Sequence, residues 1–167
     1  MSRDVVSSSR EQPDRDGLGL RVAIACARFN DHVTLRLLDG ARRGLAECKV
    51  DDADVIEVWV PGAFELPITA KAFAESGTVD AVICLGCVIR GETAHFEHVA
   101  GQAAAGIQRV NLDTGVPVIF GVLTTENLDQ ALARSEAAGQ GENAGEEGAR
   151  TAVEMARLLA SISKSPS

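Results

Sequence analysis

Two stretches of this chain carry no charged residue at all, Val22–Ala27 (VAIACA) and Ala81–Ile89 (AVICLGCVI), and each is followed by apolar residues at helical spacing. A strand that is apolar on both faces must be covered on both sides, which is the condition of a parallel sheet lying between helices. The alternation recurs with Val55–Val60 (VIEVWV), closed by Pro61 and Gly62, and with Val116–Leu123. The pair Asn30–Asp31 supplies an N-cap for a first helix that buries Val33, Leu37, Leu38, Ala41 and Leu45. A short helix near Pro67–Glu75 holds its proline in the first turn, where a missing N–H does no harm. Further helices are expected from about Thr93 to Asn111 and near Leu128–Ser135. A last one, from about Glu146 to Ser163, carries Ala149, Ala152, Val153, Ala156 and Leu159 on one face. Repeated β-α units of this kind predict an α/β fold, a flavodoxin-like three-layer α/β/α sandwich with a parallel sheet of about four strands. Such a sheet binds ligands beyond the carboxyl ends of its strands.

With 167 residues the chain suits one domain, expected over residues 20–163, between a flexible polar N-terminal arm (1–19) and a short C-terminal tail (164–167). The arm is rich in Ser and Arg but carries Asp4, Glu11, Asp14 and Asp16, unlike a transit peptide, and no apolar signal segment follows it. A formal net charge of −8 argues against nucleic acid or an anionic membrane as partner, since both require a basic surface. No apolar run approaches the roughly 20 residues of a membrane span. Cys84 and Cys87 form a C-x-x-C pair within a strand-like run, where residues three apart point to opposite faces. A shared metal or redox disulfide is therefore not expected. Together with Cys26 and Cys48 they read as reduced thiols of a cytoplasmic protein.

Several nucleotide signatures fail on context. Gly139, Gly141 and Gly145 resemble a dinucleotide loop but follow a helix instead of a strand, and neither a P-loop lysine pattern nor a G-x-S-x-G elbow occurs. What remains lies just after the strands: Arg28-Phe29-Asn30, Pro61-Gly62-Ala63-Phe64-Glu65, and Arg90-Gly91-Glu92-Thr93-Ala94-His95. All three converge on the rim where this fold places ligands. Phe29 is either a hydrophobic cap on the first helix or a stacking platform for a flat heterocycle. Glu65 either complements a helix dipole or accepts hydrogen bonds from a polyhydroxyl chain. Gly91-Glu92-Thr93 opens a helix directly after a strand, so free N–H groups and the positive dipole end offer an anion site. Arg90 reads as a solvated charge. His95, expected one turn into that helix, is a surface histidine or a proton-transfer group beside the anion site. Glu92, His95 and His98 recur at three-residue steps, but helical drift spreads them apart and the i, i+4 histidine pair of zincins is missing.

Taken together, RFN (Arg28–Asn30), PGAFELP (Pro61–Pro67), LGCVIRGETAHFEHV (Leu85–Val99), PVIFGVLTTEN (Pro117–Asn127) and QALAR (Gln130–Arg134) resemble the lumazine synthase family. The likeness runs from about Leu20 to about Leu159. It implies condensation of a ribitylaminopyrimidine with a four-carbon keto-phosphate in riboflavin biosynthesis, without metal or organic cofactor. By the same resemblance Phe29 stacks on the pyrimidine, and Ala63, Phe64 and Glu65 hold the ribityl chain. The backbone at Cys87, Val88 and Ile89 reads the pyrimidine edges. Glu92 and Thr93 bind phosphate through their amides, and Arg134 through its guanidinium. Phe120 and Arg134 reach in from a neighbouring subunit, and His95 is the acid/base. Family members usually carry a lysine where this chain has Ala144. The archaeal type of riboflavin synthase, or a non-catalytic flavin- or lumazine-binding paralogue, are the alternatives. A homopentamer is implied, and the connection Ser135–Gly145 (SEAAGQGENAG), longer by about two residues than in shell-forming relatives, predicts a free ring and no sixty-chain shell.

Overall fold

The structure, a computed structural model, describes residues 12–164. Its strands are β1 (Val22–Ala27), β2 (Val55–Val60), β3 (Ala81–Ile89) and β4 (Val118–Thr125), all parallel, in the order β2-β1-β3-β4. Helices α1 (Asp31–Glu47), α4 (Leu128–Ala133) and α5 (Ala144–Ser163) cover one face, and α2 (Leu66–Ser76) and α3 (His95–Thr114) the other. This is the doubly wound α/β sandwich that the apolar strands require.

Strand alternation divides the core in two. Ile24, Cys26, Ile83 and Leu85 point toward α1 and α5, where Leu37, Leu38, Leu45 and Val153 meet them. Ala23, Ala25, Val82 and Cys84 point toward α2 and α3, against Leu66, Ala70 and Ile107. Each fully buried leucine or isoleucine contributes about 1.5–3 kcal/mol, so these two layers carry most of the fold's stability. Cys84 and Cys87 fall into opposite clusters, and all four cysteines are free and buried.

Several elements begin elsewhere than their periodicity implies, each for a local reason. β4 starts at Val118, two residues later than expected, and runs on to Thr125. The Asn111 side chain brackets its first residue, accepting from the Val118 N–H (2.7 Å) and donating to the Val118 carbonyl (2.8 Å). α5 starts two residues early because Asn143 caps it, its Oδ1 accepting from the N–H groups of Gly145 and Glu146. α3 starts two residues late, so His95 is its first residue, not one turn inside it, and it continues to Thr114, where Gly115 ends it at φ 70°.

Within the polar N-terminal segment, the described part from Asp14 to Gly19 lies along the domain. Arg157 donates to the carbonyls of Asp16 (2.6 Å) and Leu18 (2.7 Å), Arg15 pairs with Glu154 (3.1 Å), and the Gly17 N–H donates to Cys48 (2.6 Å). Residues 1–11 of the arm and 165–167 of the tail lie outside the described residues. Among those described, no helix is long and apolar enough to cross a membrane.

Candidate active site

The chain turns from β1 outward to β2 and from β3 outward to β4, so the sheet order reverses between β1 and β3. At that switch point the flanking loops diverge and leave a crevice at the carboxyl ends of the strands. A pocket of about 690 Å³ lies at this rim, lined by residues of the loops after β1, β2 and β3, the end of β3 and the start of α3.

β1 pairs with β3 only as far as Cys26 opposite Leu85, whereas β3 stays paired with β4 as far as Ile89 opposite Thr125. From Cys87 onward, then, one side of β3 has lost its neighbouring strand. Backbone groups alternate sides along a strand. The N–H of Arg90 donates toward β4, to Thr125 (2.8 Å), which turns the backbone groups of Cys87 and Ile89 toward the vacated side. Buried backbone groups need partners. A planar ligand with donors and acceptors on its edge can supply them as a strand would.

Phe29 is 71% exposed and lines the pocket, so it is no hydrophobic cap on α1. Its loop is fixed toward β2 by the N–H of Arg28 donating to Val60 (2.8 Å) and that of Phe29 donating to Pro61 (3.1 Å). After β2 a single 3-10 turn, Ala63–Glu65, places buried Ala63 at the base of the pocket and exposes Phe64 (58%) at its mouth. Glu65 stands at the N-cap position of α2 without capping it, and among the described residues its carboxylate has no hydrogen bond or ion pair. The dipole of α2 therefore leaves Glu65 available to a ligand in the pocket it lines.

Gly91, Thr93 and His95 form the third wall with Phe96, His98 and Val99. The N-cap residue of α3, Ala94, has no capping side chain. Thr93 Oγ1 accepts only a long bond from the His95 N–H (3.4 Å), so the first turn offers free donors to an anion. Glu92 is exposed and does not line the pocket. Arg90, expected as a solvated charge, is instead a tie: it pairs with Glu97 of α3 and with Glu126 after β4 (2.8 Å), and lies over the Phe96 ring at 4.4 Å. Burial among the residues under α1 and α5 pushes the Cys87 thiol up to about 11, so it is a neutral group and not a nucleophile.

Two expected residues stand away from the pocket this chain builds. Phe120 lies on the edge strand β4, 44% exposed, and Arg134 follows α4, exposed, its Nη1 donating to the Gln130 carbonyl (3.1 Å). The Ala144 N–H donates to the Arg134 carbonyl (2.9 Å), so the position where relatives usually carry lysine adjoins Arg134. Sequence reasoning passed over Phe96, His98 and Val99 as pocket walls; the helical steps from His95 to His98 and Val99 are the signal for two of them. No group of three or more His, Cys, Asp or Glu residues among those described is placed to hold a metal ion.

These features define a doubly wound α/β protein with a pocket, part aromatic and part polar, at its switch point. Comparison with known proteins narrows the class. The 6,7-dimethyl-8-ribityllumazine synthase family profile matches residues 19–160. The 6,7-dimethyl-8-ribityllumazine synthases of two strains of Thermus thermophilus are each 52% identical over 146 residues, covering 87% of this chain and 92% of theirs. The chain belongs to the 6,7-dimethyl-8-ribityllumazine synthase family.

Proposed function

We infer that this protein is an enzyme of riboflavin biosynthesis, condensing 5-amino-6-(D-ribitylamino)uracil with 3,4-dihydroxy-2-butanone 4-phosphate to 6,7-dimethyl-8-ribityllumazine, phosphate and water. The observation that carries this reading is the pocket at the β1/β3 switch point. It joins an uncovered aromatic face, an unpaired strand edge, a free carboxylate and an uncapped helix start in a chain of this family. In it, Phe29 stacks on the pyrimidine while the β3 backbone at Cys87 and Ile89, on either side of Val88, bonds the ring edge. Ala63, Phe64 and Glu65 hold the ribityl chain, with the Glu65 carboxylate accepting from its hydroxyls.

The keto-phosphate places its phosphate at the start of α3, near the amides of Glu92 and Thr93. His95 then moves protons as the 5-amino group attacks the ketone and water leaves to form an imine. It does so again as phosphate is eliminated and as the ribityl-bearing nitrogen attacks the carbonyl so formed, a second water leaving as the ring closes. Holding the two reactants against each other supplies much of the rate, as intramolecular reactions of good geometry show.

Phe120 and Arg134 serve the pocket of a neighbouring copy in a homopentameric ring, which their exposure on the β4 side, away from the chain's own pocket, supports. The working unit is the domain from Leu20 to Ser163. Four free thiols support a cytoplasmic setting. Purified protein given both substrates should form a lumazine chromophore with an equal amount of inorganic phosphate. Lumazine consumption without phosphate release would assign the riboflavin synthase reaction instead, and binding without turnover a carrier.

A further inference from the structure

Asn30 holds the N-cap position of α1 and is a residue type suited to capping, yet its side chain makes no cap bond. Its backbone sits at φ 61° and ψ 46°, the left-handed region, which strains every residue but glycine and strains Asn least. The side chain instead reaches across the switch point, where Nδ2 donates to the Cys87 carbonyl at 2.9 Å. That carbonyl belongs to the second β3 residue beyond the last β1 pairing, Cys26 opposite Leu85, on the side β1 has vacated. Asn side chains ordinarily bond their own local backbone. Here a local bond is given up, and an uncommon backbone conformation accepted, for one contact 57 residues away.

The contact has a definite geometric effect. Phe29 precedes Asn30, and its loop is tied toward β2 by the bonds from Arg28 and Phe29 to Val60 and Pro61. The Asn30 bond ties the same loop toward β3. We propose that Asn30 is a positioning residue for the heterocycle, holding the Phe29 ring at a fixed distance from the stretch of β3 that runs on past its β1 pairing to Ile89, before substrate arrives. This rests on the reading of the pocket as the pyrimidine site. The bond locates the stacking face relative to the edge-reading groups, and it touches neither the phosphate end nor His95.

Two substitutions separate this role from a contribution to folding. Asn30→Gly keeps the left-handed backbone and removes the side chain. Asn30→Asp keeps the size and backbone preference but turns an acceptor toward the Cys87 carbonyl. Both should raise the KM for the pyrimidine by about 3- to 10-fold, the equivalent of one neutral hydrogen bond, and leave that for the keto-phosphate within about 2-fold. Because Asn30 acts through Phe29, Asn30→Gly added to Phe29→Ala should raise the pyrimidine KM no further than Phe29→Ala alone. Parent-like pyrimidine KM values in both Asn30 variants overturn the proposal. So does an equal rise for both substrates accompanied by a lower thermal midpoint, which marks a purely structural role. Phe29→Ala tells the two failures apart: if it raises the pyrimidine KM while the Asn30 variants do not, the positioning role alone is wrong. If it too leaves that KM unchanged, the reading of the pocket is wrong as well.

Discussion

His95 opens α3 on the wall of the pocket and is exposed, so no packing depends on its ring. Replacement with alanine should leave the thermal midpoint unchanged and lower kcat by about 100-fold, the lower end of what general acid–base groups supply. Steady-state kinetics beside a melting curve decides it, and a parent-like kcat rules out the proton-transfer role. The buried thiols set a second expectation. Burial raises Cys26 and Cys87 to about 11 and Cys84 to about 12, from an ordinary 9.0. Once pH passes 9 the unfolded chain ionises these groups and the folded chain does not, so their contribution is whole below pH 9 and is lost as pH rises through the folded values. Urea midpoints should therefore fall between about pH 8 and pH 10.5, and by less in a Cys84→Ala variant referred to its own value at the lower pH. An identical fall in both proteins would remove Cys84 from the account.

At the scale of elements, the connection from α4 to α5 turns on Asn143. It is 4% exposed and fully bonded: Oδ1 accepts from Gly145 and Glu146, and Nδ2 donates to the carbonyls of Arg36 (3.1 Å) and Glu136 (2.9 Å). The backbones of α1 and α5 approach so closely here that a Cβ on Gly145 would stand 1.9 Å from the Leu37 carbonyl oxygen. Asn143→Ala removes a cap and two further hydrogen bonds to carbonyls, for a loss of about 2–3 kcal/mol in chemical denaturation. A loss no larger than an exposed cap gives would mean that water replaces the side chain at both carbonyls. One residue on, Ala144 adjoins Arg134 and packs partly against the core. Ala144→Lys places a second cation beside Arg134, and the KM for the keto-phosphate should fall while that for the pyrimidine holds. Unchanged values for both would mean that Arg134 and the α3 amides suffice. The strands and the buried face of α1 were legible because their apolar spacing is dictated by burial on known sides. The start of α3 was not, because Gly91, Glu92 and Thr93 suit a helix entrance or a turn equally, and here they form the turn.

For the whole molecule, the expectation is a ring of five chains without a shell. The loop from Ser135 to Asn143 is closed by an antiparallel bridge between those two residues, and the Glu136 N–H donates to the Glu142 carbonyl (2.9 Å). Glu146 and Glu147 are paired with Arg150 in their own helix, whereas Glu136 and Glu142 have no ion pair among the described residues. Those two carboxylates remain to repel a like loop from a second ring. Sedimentation velocity should give a five-chain species, with some ten-chain pairs as salt screens the loops over a shorter Debye length. A dominant particle of about sixty chains in physiological buffer would overturn it, since closure of one repeated contact into a ring would then be only an intermediate stage.

The order of residues along the chain is enough to dictate the layered α/β architecture, because strands apolar on both faces admit no other cover than helices on both sides. It also dictates the opposed placement of Cys84 and Cys87, and the convergence of the RFN, PGAFE and GETAH segments on one rim, because strand periodicity and the parallel fold leave their side chains and loops no other place. Packing in three dimensions governs what depends on distance between segments remote in the chain. That β3 outruns β1 and leaves an unpaired edge, that Arg90 ties α3 to the loop after β4, and that Asn30 bonds Cys87 instead of capping α1 are facts of register and approach. Each residue here has a local use that its sequence neighbourhood permits. Only the packed molecule brings the competing partner within hydrogen-bond reach, where a bond made in a desolvated crevice outweighs one that water could replace.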